Sequence, residues 1–330
     1  MGKMQLSLAC CDYDRTRALA DGRIPVDGRD LTFLNLPVEE TFFRMLRFQE
    51  FDAAEMSLSS YVLSLFWEKP PFVAIPVFPS RSFRHSCIFI NRQSGIREPE
   101  DLIGKRIGMP EYQLTAPAWI RGILSDEYKV PVAGAKYFTG GQEESGRSEK
   151  LELSLPKEIH VEPVGAGKTL SQMLEVGEID ALYTPRIPSS FSNASGSVRR
   201  LFENHYDVER EYFRKTRIFP IMHTVVIRRE VYESNRWIAQ SLYKAFKQAQ
   251  HETYREMYEA AALKYMLPWL LQHVEDTRGL MGNDFWAYGL EPNVHTLETF
   301  LRYSYEQGLS KRLLKPRELF APESLESFKI

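Results

Sequence analysis

Two stretches of this chain are alike in character: His85-Ser-Cys-Ile-Phe-Ile-Asn91 and Ile221-Met-His-Thr-Val-Val-Ile227. Each is a short run rich in β-branched or aromatic residues. Each carries a histidine near its start, His85 or His223, and each runs into polar or basic residues. Such runs read as buried strands. They flank a long middle segment, the pattern expected of a chain that leaves one lobe, builds a second and returns. The 330 residues suit two domains. The expected organisation is a discontinuous first lobe, residues 1–91 plus 219–330, and a second lobe, residues 92–218. Two hinge crossings would let the lobes close over a small ligand.

Strand and helix signals alternate along the chain. Gln5–Ala9, Leu31–Leu36, Ala53–Leu58, Phe72–Phe78, Arg106–Met109, Ile159–Val164 and Ile179–Thr184 read as strands. Between them, Val38, Phe42, Phe43 and Leu46 make a helical stripe, and Thr115–Tyr128 reads as a helix with Pro117 in its first turn. Thr169 with Gln172 makes a capping box. Cys11–Asp14 reads as a turn and Thr139–Lys157 as an exposed loop or hairpin. The last third is mostly helical: Trp237–Ala249, a long run from Glu252 to about Val274, and Val294–Gln307. The fold class expected is α/β, two-lobed, each lobe a mixed sheet flanked by helices.

Several function classes fall away. Lys and Arg number 42 against 44 Asp and Glu, so the basic excess of a general nucleic-acid binder is missing. No apolar run is long enough to span a membrane. Cys10, Cys11 and Cys87 form no CxxC pair, and the seven histidines form no HxxxH or HExxH, so no metal or other cofactor is expected. Gly165-Ala-Gly167-Lys168-Thr169 imitates a phosphate loop, but Glu162 stands where its first glycine belongs. The apolar N-terminal run is too short for an export signal, and with reduced thiols this leads to the expectation of a cytoplasmic protein.

In open α/β sheets ligands sit beyond the carboxyl ends of strands. The candidates there are Tyr13 and Arg15, Ser57 and Ser59, Arg81, Arg84 and His85, Glu111, Tyr112 and Thr115, Thr184 and Arg186, and His223. A lone loop arginine is ordinarily solvated, and a serine before a helix ordinarily caps it. The cluster Arg81-Ser-Phe-Arg84-His85 is less ordinary and points to an anionic ligand, a carboxylate gripped by arginine forks.

These residues lie in segments that carry a resemblance. Asp12-Tyr13-Asp14-Arg15-Thr16-Arg17, Glu55-Met-Ser-Leu-Ser-Ser-Tyr61, Ala74-Ile-Pro-Val-Phe-Pro-Ser-Arg81, Phe83-Arg84-His85-Ser86, Gly104-Lys-Arg-Ile-Gly-Met-Pro-Glu-Tyr112 and Phe219-Pro-Ile-Met-His-Thr224 resemble, in order, the 4,5-dihydroxyphthalate decarboxylase family. Gly177-Glu-Ile-Asp-Ala-Leu182 and Met266-Leu-Pro-Trp269 extend the match. The resemblance implies a fold like type 2 periplasmic solute-binding proteins. It implies a carboxy-lyase that converts 4,5-dihydroxyphthalate to protocatechuate and carbon dioxide, with no redox cofactor needed in principle.

On that reading Arg15, Arg81 and Arg186 would anchor carboxylate or phenolate oxygens in an interlobe cleft. His85 and His223 would be the acid–base candidates, because histidine ordinarily titrates near ~6.5. Glu111 is the next acid, if burial raises its pKa. Ser57, Ser59 and Tyr112 would orient hydroxyls. The alternative is a solute-binding protein for a small carboxylate, serving ABC-type uptake. The partner in either case is a small aromatic carboxylate, with no nucleic acid and no membrane. Homo-oligomerisation is left open.

Overall fold

The backbone forms two sheets. In the computed structural model, which describes residues 4–193 and 196–325, the strands are β1 Met4–Cys10, β2 Arg29–Asn35, β3 Ala53–Ser57, β4 Phe72–Ile75, β5 Ile88–Asn91, β6 Arg106–Met109, β7 Lys136–Thr139, β8 His160–Pro163, β9 Ala181–Tyr183, β10 Val198–Arg200 and β11 His223–Arg228. The helices are α1 Asp14–Ala20, α2 Val38–Phe48, α3 Leu58–Ser64, α4 Thr115–Tyr128, α5 Leu170–Glu175, α6 Ser189–Ser192, α7 His205–Thr216, α8 Arg229–Ser234, α9 Ile238–Met257, α10 Leu270–Met281 and α11 Val294–Glu306. Residues 1–3, with which the N-terminal reading began, lie outside the described residues. Among the described residues no helix is long and apolar enough to cross a membrane.

Unit 1 comprises residues up to Arg81, Ile221–Leu297 and those from Lys315. Its sheet has the order β2-β1-β3-β11-β4. β1 is parallel to β2 and β3, and β11 runs antiparallel to β3 and β4. All five residues of β3 are buried, as a central strand requires. α2 buries Phe42, Met45 and Leu46 on one face, with Glu39 and Glu40 in its first turn and Arg47 in its last, matching the helix dipole.

Two expectations change here. Asp14, expected to end a turn, opens a helix that runs to Ala20: the Tyr13 N–H donates to Thr16 Oγ1 at 3.0 Å, which starts α1. The long helix expected from Glu252 to Val274 is two helices. α9 ends at Met257 and α10 begins at Leu270. Pro268 lacks the N–H that a continuous helix needs, and its ring would crowd the preceding turn.

Unit 2 comprises Ser82–Pro220 and Glu298–Leu314, and its sheet has the order β10-β5-β9-β6-β7-β8. β5 thus belongs to this sheet, between β9 and β10, both antiparallel to it. His85–Cys87 forms a 3-10 turn before it. Phe89, Leu170, Leu174, Ile179, Leu182 and Val198 pack into one cluster on this sheet. Gly108 in β6 keeps that packing close, because a Cβ there would lie 2.5 Å from Ile179 Cδ1.

The C-terminal third therefore contributes to both units. Within unit 2, Phe300 and Tyr303 of α11 pack on Trp119 of α4 at ring-centroid distances of 5.4 and 5.6 Å. Gly122 makes room for Tyr303, since a Cβ there would stand 2.1 Å from the ring. Arg121, 2% exposed, donates from Nε to Gln307 Oε1 at 2.8 Å and from Nη2 to Tyr112 O at 2.8 Å.

Candidate functional site

In unit 1 the antiparallel entry of β11 brings its first residue beside the last residues of its neighbours. His223 pairs in register with Ser57, and β3 lies beside β1. Glu55 of β3, 0% exposed, is the centre of what results. Its Oε1 lies 2.6 Å from His223 Nδ1 and accepts from the Tyr13 hydroxyl at 2.8 Å. Its Oε2 accepts from the Cys11 N–H at 3.2 Å and from the Cys10 thiol at 3.4 Å.

Burial alone would raise the pKa of Glu55. The hydrogen bonds and charge of His223, the Tyr13 hydroxyl and the Cys11 N–H outweigh it, and the group lies below the ordinary carboxylate range. Burial and the Glu55 charge both push Tyr13, Cys10 and Cys11 upward. Tyr13 thus stays a hydroxyl donor, and the two cysteines stay thiols, poor nucleophiles. With Nδ1 turned to Glu55, His223 presents Nε2 from the opposite edge of its ring. Phe42 packs edge-on against that ring at 4.9 Å.

Arg15 stands next to this group. Its guanidinium is held between the rings of Tyr13 and Trp286, each 4.2 Å from the Arg15 Cζ. Nε donates to Pro79 O at 2.6 Å and Nη1 to Asp14 Oδ1 at 2.9 Å, and no hydrogen bond among the described residues uses Nη2. Trp286 is itself fixed by donating Nε1–H to Phe78 O at 2.9 Å. Ser57 Oγ accepts from Ser60 N–H at 3.4 Å and caps α3, and Ser59 is fully buried in that helix.

Arg81, expected on the ligand, is a structural clamp instead. It is 7% exposed and donates from Nη2 to Asn293 Oδ1 and to Ala287 O. Burial pulls its pKa down to about 10, which leaves it charged at neutral pH.

In unit 2, His85 does not suit the acid role expected of it. It is 1% exposed, and ring centroids of Tyr212, Phe202 and Tyr128 lie 5.1, 5.3 and 6.3 Å away. Neither ring nitrogen has a hydrogen-bond partner among the described residues. Burial lowers its pKa to about 4, so it is neutral at pH 7 and not the imidazolium a general acid would be.

This makes an acid-stability prediction. The unfolded imidazole protonates below about 6.5 and the folded one only near 4, so stability falls as pH drops through that window. At pH 5 the loss is about 2 kcal/mol. His85→Phe is expected to lose that much less between pH 7 and pH 5 in urea titrations. Parallel losses in the two proteins would overturn the reading.

Glu111 is not the free acid expected either. Fully buried, its Oε1 meets Arg147 Nη2 at 2.7 Å and Lys150 Nζ at 2.9 Å, and Gln113 Nε2 donates to Oε2 at 2.7 Å. Both carboxylate oxygens are thus taken up by neighbouring side chains. The raised carboxyl nearby is Glu149, which burial pushes up to about 7, with the Glu111 charge adding to that. Tyr112 is 0% exposed and spends its hydroxyl on Gln307 O at 3.2 Å, so it orients no ligand hydroxyl. Thr115 opens α4, and Arg84 Nη1 lies 3.4 Å from Cys87 Sγ. Thr184 Oγ1 donates to Gln142 and accepts from the Arg186 N–H at 3.2 Å, while the Arg186 side chain is exposed.

Unit 1 thus gathers Tyr13, Arg15, Ser57 and His223 around Glu55, which the sequence reading passed over. Its signal was an acidic residue between Ala54 and Met56, the one charge in a short buried strand. Among the described residues no group of three or more His, Cys, Asp or Glu is placed to hold a metal ion.

No family model matches the chain. It is 42% identical over 330 residues to 4,5-dihydroxyphthalate decarboxylase of Comamonas testosteroni, covering 100% of both chains. It is also 42% identical over 214 residues to 4,5-dihydroxyphthalate decarboxylase of Pseudomonas putida, covering 65% of this chain and 83% of that one.

Two solved structures share the fold. One is a putative sulfonate ABC transporter periplasmic sulfonate-binding protein SsuA from Methylobacillus flagellatus, with TM-score 0.53, 13% identity and coverage of 98% of this chain and 93% of that one. The other is the periplasmic aliphatic sulphonate binding protein SsuA from Escherichia coli, with TM-score 0.50, 13% identity and coverage of 97% and 98%. They bear out the two-lobed, type 2 periplasmic-binding-protein-like fold. They run against the expectation of a cytoplasmic protein, since both of these neighbours are periplasmic binding proteins.

Proposed function

Because the chain belongs to the 4,5-dihydroxyphthalate decarboxylase family, we propose that it converts 4,5-dihydroxyphthalate to protocatechuate and carbon dioxide, with His223 as the proton donor. It is a carboxy-lyase. The observation that supports the site is Glu55, a buried carboxylate 2.6 Å from His223 Nδ1.

Each substrate hydroxyl is para to one carboxylate. Electron density from that hydroxyl flows through the ring to the carbon that bears the carboxylate. His223 delivers a proton from Nε2 to this carbon, the bond to the carboxylate breaks, and the pair returns to the ring as carbon dioxide leaves. One proton is taken up at carbon for each carbon dioxide released. Glu55 orients the imidazole through Nδ1. The Tyr13 hydroxyl and the Cys11 N–H hold Glu55 in place from its other sides.

Arg15 takes the carboxylate that stays. Its aromatic sandwich fixes the guanidinium plane, and Nη2 is the donor left for an oxygen. Arg15→Ala is expected to raise KM about 10–100-fold, the worth of a charge-assisted hydrogen bond, with kcat little changed. A fall in kcat at constant KM would move Arg15 from binding to chemistry.

The direct test is incubation with 4,5-dihydroxyphthalate while carbon dioxide release and ring absorbance are followed. Stoichiometric release of both products is expected. Binding without turnover would favour the solute-carrier alternative.

A further inference from the structure

The opposite end of the unit 1 sheet holds a second group of charged residues, which the decarboxylation site does not use. β1 and β2 begin there and β11 ends there, at Arg228. A cavity of about 310 Å³ opens among Arg29, Asp52, Arg228, Glu230, Ser234 and Asn235. That is the lower end of the range for small-molecule sites.

Arg29 is the unusual member. It is 2% exposed, yet its side chain makes no hydrogen bond and no ion pair among the described residues, and Nε and Nη2 are buried without a partner. Its one strong contact is the Trp237 ring, 4.6 Å from Cζ. Gly28 makes room for that ring: a Cβ there would stand 2.9 Å from Trp237 Cη2. A cation on an indole face gains about 0.5–2 kcal/mol. That offsets only part of the cost of burying a guanidinium without hydrogen bonds.

The acidic groups nearby do not complete the balance. Asp52 is committed: Ser7 N–H and Oγ–H both donate to its Oδ2 at 2.9 Å, and Arg228 Nη2 lies 3.2 Å from its Oδ1. Glu230 is exposed on the first turn of α8 and forms no ion pair with Arg29. Arg228 Nε is also buried without a partner. Burial pulls the pKa of Arg29 down, against the attraction of Asp52, as expected of a cation short of a counter-charge.

We propose that this cavity is a second ligand site, separate from the decarboxylation site, which takes a small oxyanion (a carboxylate or a phosphate-class ion) whose charge is matched by Arg29. The carboxylate could be a small organic acid and the phosphate inorganic. Both present the paired oxygens that a guanidinium recognises. The volume suits an ion no larger than a single aromatic acid.

The test is titration calorimetry in chloride buffer, with inorganic phosphate in one arm and benzoate in the other. Three variants accompany the wild type. Arg29→Met removes the cation. Ser234→Glu adds an anion at an exposed wall of the cavity and keeps the core intact. Glu230→Gln removes a competing charge. Thermal unfolding and far-UV circular dichroism confirm folding of each.

At least one probe is expected to bind wild type. That affinity should fall 10-fold or more in both Arg29→Met and Ser234→Glu, and rise in Glu230→Gln. The arm that responds identifies the source of the ion. Benzoate binding unaffected by Ser234→Glu belongs to the other end of the sheet and does not count. If neither probe shows a component sensitive to Ser234→Glu, the proposal is overturned, whether or not Arg29→Met folds.

Discussion

A His223→Ala chain is expected to turn over 4,5-dihydroxyphthalate about 10²–10⁴-fold more slowly than wild type, with KM nearly unchanged. The size follows from what the side chain does. It carries the proton to carbon, and water has no comparable placement near the ring. Glu55→Gln is expected to lose less, about 10-fold, because the amide oxygen can still accept from Nδ1, but without the strength of a charge-assisted hydrogen bond. His85→Phe is the companion control and should turn over at the wild-type rate, since His85 is an uncharged, buried imidazole at neutral pH. The measurement is carbon dioxide release under single-turnover conditions. Near wild-type rates from His223→Ala would remove it from the chemistry and leave Glu55 as a structural carboxylate.

The second large effect is on stability. Gly122→Val is expected to cost about 3 kcal/mol, through overpacking where a Cβ would stand 2.1 Å from the Tyr303 ring. The ring cannot retreat easily, because it packs against Trp119 and its hydroxyl donates to Asp126 Oδ2 at 2.7 Å. Gly279 of α10 supplies the contrast. No atom lies within 4 Å of a Cβ built there, so Gly279→Ala should gain about 0.5–1 kcal/mol from helix propensity alone. Urea unfolding of the two variants checks both signs. An unchanged midpoint for Gly122→Val would mean that α4 and α11 are packed more loosely than the distances indicate.

Most strands were legible in the residues because β-branched and aromatic runs leave few other solutions. Arg106–Met109 is a strand with the bounds expected of it, and Thr169 caps α5 by accepting from Gln172 N–H. What was not legible depends on partners far away in the chain. Glu55 and His223 are brought together only by the antiparallel placement of β11, which no local pattern announces. His85 and Arg81 were sound candidates by residue type, but burial changed their chemistry. One is held uncharged and the other spent its hydrogen bonds on Ala287 and Asn293. Glu111 looked like an acid until Arg147 and Lys150 from the Thr139–Lys157 loop paired with it.

The threading of α11 through both units bears on how the polypeptide is made. Trp119 leaves the ribosome long before Phe300 and Tyr303, which cover it. Ala74 and Tyr61 likewise wait for Phe320 and Leu319. Neither unit can finish its interior during the first nine-tenths of synthesis, so a chain truncated before residue 298 would release two open cores instead of one completed half. Nor can a single cut in the gene yield either unit by itself.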